Sequence, residues 1–267
     1  MCLCYNKYMK RKLGGFTIIE VTLFLAITGL LFLGVTMGVQ SSVYNQRFND
    51  SVQSFVEFLR NIYAETMNVQ NADSGRSGQA IYGKLVTFGE TTGLESSARI
   101  DGRTAFVYDI VGKVNGDVGS GNILTALNGV EADVVIREGG TTKLAGIVES
   151  YTPRWQAEAQ QACTSSTCYA PIKAAILVVR HPRSGTVYTF VMKNNTIEIN
   201  NKVQTTNNAI LGSFLNGTNF KNEAIDFCIN PEGSKAYNRR ANVRINKDAR
   251  NSSAVQIIND EGDNKCR

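Results

Sequence analysis

The chain has 267 residues, with 28 Lys+Arg, 23 Asp+Glu, one His and six Cys; 43% of it is hydrophobic and 19% charged. That balance excludes a disordered or low-complexity chain, and the length admits one large domain or two small ones. A single histidine excludes a His-rich metal site and makes any Ser-His-Asp or Cys-His arrangement depend on His181, while six cysteines are too few for a scaffold held by disulfides alone. The net charge is +5, but Lys7, Lys10, Arg11 and Lys12 carry four of those charges with no acid among them, which leaves +1 from Phe16 onward. The basic character therefore belongs to the first fifteen residues, and it does not by itself point to nucleic acid.

Phe16 to Val39 reads FTIIEVTLFLAITGLLFLGVTMGV, and its one ionisable side chain is Glu20. As a helix it would extend about 36 Å at about 1.5 Å per residue, enough to cross a hydrocarbon core of about 30 Å. The basic cluster lies on its N-terminal side only, so the positive-inside rule keeps the first residues in the cytoplasm and sends the rest outward. A carboxylate in hydrocarbon costs about 2.5–3.5 kcal/mol at the helix centre. Glu20 lies near one end and needs either a partner or a route to the interface. Gly34 and Gly38 form a GxxxG spacing that lets two membrane helices approach.

The stretch Arg11-Lys12-Leu13-Gly14-Gly15-Phe16-Thr17-Ile18-Ile19-Glu20-Val21 resembles the class III signal of type IV prepilins and pseudopilins. In that family a short basic leader ends in Gly, and a membrane peptidase cuts after it. The new N-terminal residue, often Phe, is then N-methylated, and a Glu lies four residues further on. The resemblance assigns Gly15 to the position before the cut, Phe16 to the new terminus and Glu20 to the acid, with Lys10, Arg11 and Lys12 in the leader. A cut after Gly15 frees an α-ammonium on Phe16 that can pair with Glu20 of the same chain or of a filament neighbour. Either Met1 or Met9 can start the leader. The partners implied are other pilins in a filament, the prepilin peptidase/N-methyltransferase and the assembly platform in the membrane. The implied location is a single pass through the inner membrane, and then an extracellular pilus.

Between Val43 and Met67 there is neither Pro nor Gly, and Phe48, Val52, Phe55, Leu59 and Ile62 recur at steps of four and three. That is one stripe of a helix, with Asn49, Gln53, Glu57, Arg60, Asn61 and Glu65 on the other faces. Two readings are open. One helix continues from the membrane to about Val69, about 80 Å in all; or the chain breaks near Gln40 to Gln46 and restarts. Both turn the same stripe toward a core.

After Gly78 short apolar runs replace the helical period. Strands are expected at Ala80–Phe88, Thr104–Val111, Asp133–Arg137, Leu144–Ser150, Ala174–Arg180, Thr186–Lys193, Glu223–Asn230, Ala241–Asn246 and Ala254–Ile258. HPRSG joins two of them as a hairpin loop. Thr152–Ala162 is the best short helix, with Pro153 suited to its first turn. The closing strands, together with Phe58 to Met67, also resemble GspH/FimT-type minor pilins and pseudopilins; the insert from about Ala98 to Ala170 has no counterpart there. The expected fold is α+β, a long N-terminal helix with a transmembrane and an amphipathic half packed on an antiparallel β-rich globular domain. Its divisions are a leader over 1–15, a membrane helix over 16–39, its continuation over 40–70 and the β-rich domain over 71–267, closed by strands within 223–258.

Outside the leader the cysteines are Cys163, Cys168, Cys228 and Cys266, which allow three pairings in an exported domain. Cys163 and Cys168 can close the TSST loop, and Cys228 with Cys266 would then tie the tail to a strand. That bridge is worth about 3–4 kcal/mol in the chain-entropy model. Zinc is the rival, with poor spacing and no supporting His. Arg239, Arg240, Arg244, Lys247 and Arg250, with Lys235, outnumber Glu232 and Asp248 six to two. Such a patch suits phosphate contacts, and Tyr237 offers a stacking face; a solvated, aggregation-resistant hairpin edge carries the same residues. The FimT-like resemblance implies DNA capture there during uptake.

Nothing forms a catalytic set, and no cofactor is expected. His181 sits in a turn beside Pro182 and is expected to be exposed and inert. Asp101 with Asp109, and Asp260 with Asp263, read as carboxylates in solvated loops. The loop Gly116–Asn122 lacks the Lys-Ser/Thr of a phosphate-binding loop. The chain thus reads as a filament subunit, a minor pilin or pseudopilin. A DNA-binding minor pilin and a type II secretion pseudopilin are the alternatives.

Overall fold

A helix stripe of large aromatic and aliphatic side chains must be covered, and here two sheets cover it. The computed structural model describes residues 15–68, 80–88, 104–114, 123, 127, 130–133, 148–162, 172–193, 209–210, 220–230, 240–259 and 265–266. Helix α1 spans Ile18–Met67 without the break near Gln40 to Gln46 that one reading allowed. By compactness the chain divides into Met1–Gln46 and Arg47–Arg267.

In the second unit Phe48, Val52, Phe55, Leu59 and Ile62 are all buried, joined by Val56 and Tyr63. The strands of this unit are β1 (Ala80–Phe88), β2 (Ala105–Val114), β3 (Val130–Asp133), β4 (Val148–Tyr151), β5 (Glu158–Gln161), β6 (Ala174–Arg180), β7 (Val187–Lys193), β8 (Ala209–Ile210), β9 (Ile225–Asn230), β10 (Ala241–Ile245) and β11 (Val255–Ile258), and the stripe shares its core with residues of both sheets. The larger sheet runs β7-β6-β1-β2-β3-β8, with β4 also paired to β2; the smaller runs β11-β10-β9-β5. The described pairings are antiparallel. The fold is α+β, a long N-terminal helix on an antiparallel β domain.

Strand β6 shows why its sequence is an unbroken apolar run. Ala174, Ile176 and Val178 join the core under α1, and Ala175, Leu177 and Val179 join a second cluster on the far face with Leu85, Ile110 and Phe190. A strand covered on both faces has no polar alternation to show. Ile123 and Leu127, both helical, close that second cluster. Under α1, Phe227 of β9 meets Phe55 edge-on at 5.3 Å, and Phe58 stacks on Tyr151 at 4.0 Å. At Gly83 β1 approaches β6 so closely that a Cβ would lie 2.3 Å from the Val178 carbonyl oxygen, beside a register shift in the β1–β2 pairing.

One expectation needs correction. Thr152–Ala162 is not a helix: after a short turn at Arg154–Gln156 the chain enters β5, which pairs with β9. Ala157 and Ala159 alternate inward with period two, and the open edge of β9 overrides the helix preference of Ala, Glu and Gln. Strand β3 (Val130–Asp133) shares Asp133 with the strand expected at Asp133–Arg137, whose other residues lie, with the rest of 134–147, outside the described ones. The stretch from about Ala98 to Ala170 supplies β2 to β5 and so contributes to both sheets.

Candidate functional site

The first half of α1 exposes a surface of mostly apolar side chains, broken by Glu20 and three threonines. Ile18 is 85% exposed and Leu30 71%, and Phe24, Phe32 and Val35 stand out likewise. α1 is long and apolar enough to cross a membrane. Its hydroxyls fit that medium: Thr22 donates to the Ile19 carbonyl at 3.0 Å, Thr28 to that of Phe24 at 2.8 Å and Thr36 to that of Leu33 at 2.9 Å. Each threonine thereby satisfies its donor within its own helix, as hydrocarbon demands. Added Cβ atoms at Gly29, Gly34 and Gly38 would meet nothing within 4 Å, so no packing within the chain requires glycine there.

Glu20 lies in the first turn of this helix. The Thr17 hydroxyl accepts from the Glu20 backbone N–H at 3.3 Å, which makes Thr17 a helix cap. Thr17-Ile18-Ile19-Glu20 has the spacing of a capping box, a helix-start signal legible in the sequence. A carboxylate at this end also matches the positive pole of the helix. Gly15 and Phe16 precede the helix, and Phe16 is exposed.

At the other end of the chain, Cys228 is bonded to Cys266 across 38 residues, with Cα atoms 5.3 Å apart. Both are buried. Cys163 and Cys168 lie outside the described residues. The bridge lies on the face of the small sheet turned away from α1, beside Asp226. The Asp226 carboxylate accepts from Arg244 Nε at 2.6 Å and Asn242 Nδ2 at 3.2 Å, and Lys265 Nζ is 3.3 Å away. The tail is therefore held twice, by a covalent bond and by an ion pair one residue earlier.

This changes the basic patch. Arg244 is spent on Asp226, with its side chain only 15% exposed. Arg250 lies over the Tyr188 ring at 5.5 Å. Lys247 is exposed but adjoins Asp248, and Arg240 is half-buried. Arg239, Lys235 and Tyr237 lie outside the described residues, as do Asp101, Asp260, Asp263 and Gly116–Asn122. The described arginines thus form no open row of donors.

Two titratable groups sit otherwise than expected. His181 is buried, not exposed; its Nδ1 accepts the Arg183 and Ser184 N–H groups, both at 3.1 Å, and so shapes the β6–β7 turn. Asp109 is not in a solvated loop but in β2, opposite Lys84 of β1. Lys84 Nζ lies 2.6 Å from Glu65 of α1 and 2.9 Å from Asp109, with its own side chain 7% exposed. Burial alone would lower the Lys84 pKa; the hydrogen bonds to Glu65 and Asp109 outweigh it and leave the ammonium above its ordinary value. This triad ties the last turn of α1 to the large sheet. Among the described residues no group of three His, Cys, Asp or Glu side chains is placed to hold a metal.

No family model, no curated protein and no solved structure matches this chain.

Proposed function

We propose that this chain is a membrane-anchored filament subunit of the type IV pilin or pseudopilin kind, with the β domain outside and assembly as its activity. One observation carries the reading: a lone acid in the first turn of α1, followed by an exposed run up to Val39 with no other ionisable side chain, just after Gly15-Phe16-Thr17. Peptidase cleavage after Gly15 would leave an α-ammonium at the positive end of the α1 dipole, an unfavourable place for a cation. Glu20, one turn in, offsets that charge within the chain. In a bundle of such helices it can also pair with the amine of a neighbour. The exposed apolar residues then have two successive covers, lipid before assembly and other subunits after it. The large β domain fits a low-copy or tip position, in a pilus or in a secretion pseudopilus. DNA capture is the weaker reading, because Arg244 and Arg250 are already engaged.

Mass spectrometry of the protein purified from its native membranes tests this. The expected species begins at Phe16 and carries one N-methyl group. An intact leader, or cleavage after the apolar run, would refute the proposal.

A further inference from the structure

Trp155 is the chain's one tryptophan, and it stands 48% exposed. Its backbone is left-handed, φ 57° and ψ 35°, and Gln156 follows at φ 53°. Such conformations cost about 1–3 kcal/mol each in non-glycine residues and persist where the surroundings enforce them. Here the enforcement is visible: Pro153 and Ala157 are buried on either side, so Arg154, Trp155 and Gln156 are forced outward together. The guanidinium of Arg47, exposed on α1, lies 4.8 Å from the centre of the indole. The result is a rigidly presented indole flanked by two exposed arginines.

The occupant follows from chain length. Arg47 comes eight residues after Val39, the end of the apolar run. Even a fully extended link of that length reaches only about 28 Å, so the cluster is tethered close to the point where the run leaves lipid. Tryptophan prefers the headgroup layer, where its ring lies against acyl chains and its N–H stays wet. Arginine matches phosphate in a forked geometry. We infer that Arg47, Arg154 and Trp155 form a phospholipid headgroup contact that docks the β domain on the outer face of the bilayer holding α1. This rests on the membrane-anchor reading above. Asp50 and Glu57, exposed on the same stretch of α1, moderate any preference for anionic lipid.

The single indole makes the test direct. The full chain is reconstituted in phosphatidylcholine vesicles brominated either near the headgroup end of the acyl chains or deep within them. Flotation first establishes that the chain travels with the vesicles. The expected result is a blue-shifted emission quenched at least twofold more by the shallow bromines than by the deep ones. Arg47→Gln with Arg154→Gln should at least halve that quenching while the chain still floats. A floating chain with water-like, unquenched emission overturns the inference and leaves the anchor intact. So does a double variant quenched like the wild type, or a blue shift without bromine quenching that grows with protein density, which would make a second copy the occupant. A chain that does not float overturns the anchor and this contact together.

Discussion

Replacing Lys84 by Met tests the electrostatic joint between α1 and the large sheet. Lys84 faces Glu65 at 2.6 Å and Asp109 at 2.9 Å, and the three side chains are 7%, 27% and 12% exposed. Removing the cation leaves two carboxylates facing each other. Glu65 can turn partly to water; Asp109, in the middle of β2, cannot. Breaking a buried pair by removing one partner costs about 3–5 kcal/mol, and relief at Glu65 places the expectation at the lower end, about 3 kcal/mol. For a domain of this size that corresponds to a Tm lower by about 6–12 °C. The assay is thermal unfolding of the full chain in detergent, followed by near-UV circular dichroism. Lys84→Met combined with Asp109→Leu should regain at least half of the loss, because an apolar pair of similar volume removes the stranded charge. A single variant within about 0.5 kcal/mol of the wild type, the range of an exposed pair, would refute the claim that this triad is a buried joint.

Burial raises the Tyr63 phenol to about 12, against the lowering effect of its hydrogen bond to Thr189. The unfolded chain ionises first, so stability is complete below pH 10 and falls as pH rises toward 12, by about 1.4 kcal/mol per pH unit. Urea titrations across that window should show the fall, and Tyr63→Phe should flatten it. Cys228→Ser should cost about 3–4 kcal/mol in the same titrations, and reduction of the wild-type protein should mimic it. Gly83→Ala drives a methyl into the Val178 carbonyl and should lower stability by about 1–3 kcal/mol through separation of β1 from β6. Glu20→Gln should leave membrane insertion intact and reduce the sheared filament fraction at least tenfold; unchanged filament yield would remove Glu20 from assembly.

The sequence by itself determined what repeats locally. Steps of three and four marked Phe48 to Ile62 as the buried stripe of α1, and short apolar runs marked β1 and β6. The pattern of one acid in an apolar run was equally plain, because lipid compatibility is a property of consecutive residues. Only the tertiary structure decided matters that depend on who lies opposite. Thr152–Ala162 has helix-forming composition, yet the free edge of β9 draws Glu158–Gln161 into a strand. Asp109 looked solvated until β1 set Lys84 across from it. Arg244 belonged to a basic patch until the same sheet placed Asp226 at its side. Backbone period and hydropathy act between neighbours in the chain, whereas strand pairing and charge compensation join residues far apart along it, and no local pattern carries that information.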